Sequence, residues 1–265
     1  MNFYIFGFLV LFITTVLAVV GMLLVRRFVG ISNLASYHEV AGYLLSVVGT
    51  LYAVLLGFVV VDAMQHVQDL RNLVDQEASS LCNIYLCANG LPEKPRTELR
   101  KNCIDYADSV INDEWHAMEK GQYSVRSFTV VWKIWKQIST YVPEGEAQQT
   151  LHQQLVSEVC SMTQNRRMRI TSSAHGIAPL MWTVLIVGGV FTLLFTYFFA
   201  VESVRAQVIM TVLVALTLSL NIYLVFIFGS PFTGDFGVKP DSFRLDQMIF
   251  KYFDAGSPPP PGVPF

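Results

Sequence analysis

Acidic and thiol side chains are where chemistry would show first in this chain, and neither kind forms a reacting constellation. The nearest approach to a carboxylate pair is Asp113 and Glu114, followed by Trp115 and His116. Acid–base catalysis needs two carboxyls held in different environments of one cavity; these neighbours read instead as solvated charge on a surface helix. The cysteines Cys82, Cys87, Cys103 and Cys160 form no C-x-x-C pair, and His66, His116 and His152 stand at spacings that match no metal-ligand pattern. The thiols read as small buried apolar groups of a reduced compartment. His175, beside Gly176 and Pro179, has the chemistry of a proton sensor, although an isolated interfacial imidazole is more often structural. The Trp132, Trp135 stripe reads as ordinary core rather than a ligand cage. Phosphate-binding, zinc-protease, nucleophile-elbow and dinucleotide motifs are absent from the sequence. No catalytic residue, metal or cofactor is expected.

The elements that hold these residues are set by composition. Of 265 residues, 53% are hydrophobic and 14% charged, against roughly 25% charged in soluble chains. A net charge of -2 without a basic cluster gives nucleic acid nothing to bind. A bilayer core takes about 20 apolar residues of helix, and four segments qualify: Phe3 to Val25, about Tyr43 to Val61, Pro179 to Val201, and Ala206 to Gly229. The first lacks a basic start and a small-x-small cleavage site, so it reads as a retained span.

The short loop Glu202 to Arg205 forces a hairpin, and residues 26–42 form the other short connection on the same face. The termini and the central domain then share the opposite face. Near the span ends, Arg71, Arg166, Arg167, Arg169, Lys239 and Arg244 lie on the domain side, against Arg26, Arg27 and Arg205, which makes the domain side cytoplasmic and the location the cell (inner) membrane. No lysine, arginine or glutamate lies inside a span, which disfavours a proton-coupled transporter. Thr50, Tyr52, Thr183, Thr192, Thr196, Thr211, Thr217, Ser219 and Asn221 are the polar content, and most can bond back to helix carbonyls.

From Val67, apolar residues recur at Leu70, Leu73, Val74, Leu81, Ile84 and Tyr85 with helical spacing and no break from the second span. One long helix is expected, broken near Gly90 to Pro92. A second begins about Pro95 and closes at Gly121. A third follows Ser124 with Phe128, Val131, Trp132, Trp135 and Ile138 inward, and a fourth starts near Pro143 with Leu151, Leu155, Val159 and Met162 inward. Gly176 and Pro179 should break the chain before the third span. A turn-rich strap, a short helix from Pro240 to Phe253 offering Phe243, Met248, Ile249 and Tyr252 for packing, and a proline-rich tail from Ser257 to Phe265 complete the chain. The resulting division is 1–66, 67–175, 176–229 and 230–265.

Three stretches resemble the bestrophin-like family of membrane proteins: Tyr52 to Val61 (YAVLLGFVVV) continued by Val74 to Ala78 (VDQEA); the Glu114-Trp115 step after Tyr106; and Trp182 to Phe195 with its Gly188-Gly189 pair, closed by Ser230 to Gly234 (SPFTG). Leu56 to Val59 and Pro231-Phe232 are similar to motifs of bestrophin channels themselves. The resemblance implies an all-α fold, a pentamer around one pore lined by the second span, and a cytoplasmic vestibule. Only Asp235 and Asp241 stand near the proline-phenylalanine step, in place of the run of acidic residues that the resemblance would require, so a calcium clasp is not expected. Matching Gly57-Phe58 to the family's glycine-phenylalanine step puts a hydrophobic neck at Phe58, Val54 and Thr50, each four residues apart. The bland alternative is that this face packs against another helix. In a ring of subunits Asp62 and Asp69 would carry negative charge beyond the neck and favour cations weakly, unless Asp62 merely reaches water or pairs with Arg71. The expected function is an oligomeric ion channel with membrane lipid and permeating inorganic ions as partners. The contrasting readings are a non-conducting scaffold or sensor, recognised by a packed second span and no current, and a membrane enzyme with an unrecognised site.

Overall fold

The computed structural model describes residues 3–29, 31–173, 176–199, 203–234 and 237–256, with backbone alone for residues 3 and 31–39. Among these residues the chain is all-helical, without strands. His175, Glu202, Asp235 and the tail from Ser257 lie outside the described residues.

Two compact units are present, Met1–His66 with Gly176–Gly237, and Val67–His175 with Val238–Phe265. The first holds helix α1 (Phe3–Val29), the start of α2 (Ile31–Cys87), α7 (Pro179–Tyr197) and α8 (Val204–Phe228). Among the described residues four helices are long and apolar enough to cross a membrane. Residues 26–42 are not the expected connection: 26–29 complete α1 and 31–42 open α2. Polarity ended the apolar run in the sequence, but it does not end a helix whose backbone bonds are internal. The later spans are likewise set by their caps. Phe198 caps α7, and the Ser203 side chain accepts from Ala206 N at 3.4 Å at the start of α8.

Helices in lipid gain little from apolar burial and associate through close packing and hydrogen bonds. α1 and α8 meet through Thr14 and Ser219 hydroxyls 2.8 Å apart and through Arg26 Nη1, which donates to Gln207 Oε1 at 2.5 Å. The remaining span hydroxyls mostly bond back one turn, as expected: Thr183 to Pro179 O, Thr192 to Gly188 O and Thr217 to Leu213 O.

The second unit contains the rest of α2, α3 (Glu93–Ser109), a π-helical turn (Val110–Glu114), α4 (Trp115–Met118), α5 (Val125–Thr140), α6 (Gly145–Ser173) and α9 (Asp241–Asp254). α2 ends in a short turn at Ala88–Gly90, close to the expected break. Gly121, at φ 68, supplies the left-handed residue that closes the stretch after α4. Ser124 caps α5 by accepting from Ser127 N at 3.2 Å.

The buried face of α5 is rotated from expectation. Ser127, Val130, Val131, Ile134 and Ile138 are buried, while Phe128 and Trp132 are 59% and 55% exposed. Both three- and four-residue spacings run through this sequence, and the small Ser127 and branched Val130 fit the close approach that bulky rings would block. On α9, Phe243, Ile249 and Phe250 are buried but Met248 and Tyr252 are exposed. Phe250 stacks on Tyr85 with ring centroids 4.0 Å apart, and Phe243 meets Tyr106 and Trp115 edge-on.

Candidate functional site

The membrane part of α2 presents two contrasting faces. Tyr52, Leu56 and Val59 are buried against Leu185 of α7 and Val225 of α8. Tyr52 fixes the depth of contact, its hydroxyl donating to Leu185 O at 2.8 Å. The Gly188-Gly189 pair makes this possible, since a Cβ on Gly188 would stand 2.5 Å from the Tyr52 ring.

Four residues apart along the same helix, Thr50, Val54, Phe58 and Asp62 are all exposed, Val54 by 53% and Phe58 by 72%. Gly57 beside them has open space where a Cβ would stand. Thr50 returns its hydroxyl to Ser46 O at 2.7 Å. The expected neck stripe is therefore largely exposed in the single chain, as are Val47, Leu51 and Val61 on the same helix. Asp62 makes no ion pair or hydrogen bond among the described residues. Asp69, in the second unit, is exposed and likewise makes none.

The second unit holds a constellation that sequence reasoning missed. Glu77, Glu114 and Arg169 are fully buried and Arg166 nearly so. Arg169 donates to Glu77 through Nε (2.7 Å) and Nη2 (2.9 Å), and through Nη2 to Glu114 (2.9 Å). Arg166 holds the other side of Glu114 at 2.5 Å, and the Tyr106 hydroxyl donates to Glu77 at 2.5 Å. Two carboxylates and two guanidiniums balance, which is the condition for keeping charge buried. Burial, then the two carboxylates, holds the Tyr106 hydroxyl well above its ordinary range. Burial alone would lower the Arg169 guanidinium, but Glu77 and Glu114 outweigh it and the net direction is upward.

Glu114 is therefore not the solvated surface charge expected from its neighbourhood. The π-helical turn that it ends adds a residue to the helix and turns it inward. The missed signal is a matter of register. Leu70, Val74, Glu77 and Leu81 form one stripe of α2, and Leu155, Val159, Met162, Arg166 and Arg169 one stripe of α6. The α2 stripe turns acidic in mid-course and the α6 stripe ends in arginines, so the charges are opposite.

Cys82, Cys87, Cys103 and Cys160 are free thiols. Cys103 is buried as expected, but Cys160 is exposed, because it lies off the α6 stripe. Burial, then Asp246, pushes the Cys82 thiol up to about 12, which suppresses thiolate chemistry there. No cluster of three or more potential metal ligands occurs among the described residues. His152 meets Ile138 O at 3.0 Å and His116 is exposed.

Comparison with known proteins matches residues 12–243 to the model of the Bestrophin-like domain. Crystal structures of a bacterial bestrophin homologue from Klebsiella pneumoniae share the fold. One, carrying an isoleucine-to-threonine mutation, superposes with a TM-score of 0.67 at 11% identity, covering 92% of this chain and 99% of that one. Another, phased by Zn-SAD, gives 0.65 at 12% identity, covering 97% and 100%. No curated protein matches the chain.

Proposed function

We propose, because the chain belongs to the bestrophin-like family, that it is a subunit of an oligomeric ion channel whose central pore is lined by α2. The observation that carries this reading is the exposed Thr50, Val54, Phe58 stripe continuing into Asp62, a carboxylate that lipid would not accept, on a helix whose opposite face is locked onto α7 and α8. A helix fixed from behind and bare in front is what a ring of subunits requires of its pore wall. The oligomer is a pentamer in the cell's inner membrane, with the second unit cytoplasmic. Phe58 and Val54 form a hydrophobic neck that gates by losing water, and Asp62 and Asp69 add negative rings that favour cations weakly.

Recordings from purified protein in planar bilayers test the neck. Phe58→Ala and Val54→Ala should each raise open probability or unitary current roughly fivefold, as relief of about 1 kcal/mol of barrier would give. Unchanged currents in both variants would remove these residues from the pore. A non-conducting scaffold would be silent in the wild type and in both variants.

A further inference from the structure

We infer that the second unit carries a binding site for a small apolar monocarboxylate, in the groove between α5 and α6. The groove has a volume of about 460 Å³, with Tyr123, Phe128, Trp132 and Trp135 on one side and Arg166 and Arg167 on the other. That volume falls within the range of about 300–1,000 Å³ typical of small-molecule sites. Aromatic walls with a few converging polar groups are the usual composition of such sites.

The chemistry of the occupant follows from which polar groups are already engaged. The hydroxyl of Thr163 bonds back to Val159 O, and that of Thr171 to Arg167 O. Arg166 gives Nε and Nη2 to Glu114, while its Nη1 makes no hydrogen bond among the described residues. Arg167 is exposed and forms no ion pair among the described residues. Lys136, which does not line the groove, is engaged elsewhere, its Nζ 5.0 Å from the centre of the Trp132 ring. No aspartate or glutamate lines the groove. The walls are thus apolar and the unused donors cationic, and a guanidinium fork matches a carboxylate in both charge and shape. An aromatic or aliphatic body would lie against Phe128 and Trp132, which are otherwise large rings facing water.

The groove shares no residue with the proposed pore, so binding is measured without current. The full chain in lipid nanodiscs is titrated calorimetrically with 4-phenylbutyrate and with 4-phenylbutan-1-ol, which has the same ring and chain but no charge; empty nanodiscs give the lipid background. Saturable binding of the carboxylate is expected, with the alcohol at least about tenfold weaker, because a charge-assisted hydrogen bond is lost. Arg167→Gln should weaken the carboxylate by a similar factor and leave the alcohol unchanged, whereas Trp132→Ala should weaken both. Both positions are exposed, so both variants should fold. Equal binding of acid and alcohol, insensitivity to both substitutions, or heat no greater than that of empty nanodiscs would overturn the assignment. So would acrylamide quenching that is the same for wild type and Trp132→Phe, which would mean that a neighbouring subunit covers the groove.

Discussion

Removing one charge from the buried quartet shows what the quartet does. Arg169 alone touches both Glu77 and Glu114, and its guanidinium also lies 5.3 Å from the centre of the Trp115 ring. Arg169→Met leaves Glu77 without a cation in a site where it is fully buried, which costs roughly 3–5 kcal/mol. The expected outcome is a large fall in thermal stability of the purified protein, partly restored by adding Glu77→Leu. A double-mutant cycle checks it, and additive losses would mean that the two residues do not interact. The same quartet marks where reading by sequence stops. In the sequence Arg166 and Arg169 read as topology markers, and Glu114 beside Asp113 reads as solvated charge. Each charge becomes burial-compatible only once another helix brings its partner to within 3 Å. That Thr50, Val54, Phe58 and Asp62 share one face, by contrast, needs only the period of one helix.

At the scale of elements, the long α2, the capped α5 and the break before Pro179 followed from local signals. The facing of α5 did not, since its sequence offers apolar residues at adjoining positions and only packing against α3 and α6 chooses among them. α9 offers a test of docking. Its Asp246 is buried, with Oδ2 lacking any hydrogen bond, and faces Cys82 of α2 and Cys103 of α3. Burial pushes this carboxyl up to about 8. Docked α9 therefore prefers the neutral acid, and released α9 ionises in the ordinary carboxylate range. Docking is strongest below that range, weakens by about 1.4 kcal/mol per pH unit as pH rises, and levels off above about 8. The protection factors of the α9 amides, which correct for the intrinsic rise of exchange with pH, should fall over that window in the wild type and stay flat in Asp246→Asn. Equal pH profiles would show that Asp246 is not buried as a neutral group.

For the whole molecule, four helices of one chain do not enclose an aqueous axis, so conduction requires assembly. Native mass measurement in detergent should find five copies, and a stable monomer would remove the pore. The four spans, and the family to which they belong, were legible from apolar run lengths and short motifs. The subunit neighbours and the ion were not, because a single chain shows a pore wall and a lipid-facing wall alike as exposed apolar surface. The most direct test is the reversal potential of the purified wild type and of Asp62→Asn in a planar bilayer under a salt gradient. The account predicts stepwise currents that reverse on the cation side of zero, with Asp62→Asn moving the reversal toward zero. Reversal toward the chloride potential in the wild type, or no current from protein shown to be oligomeric, would contradict it.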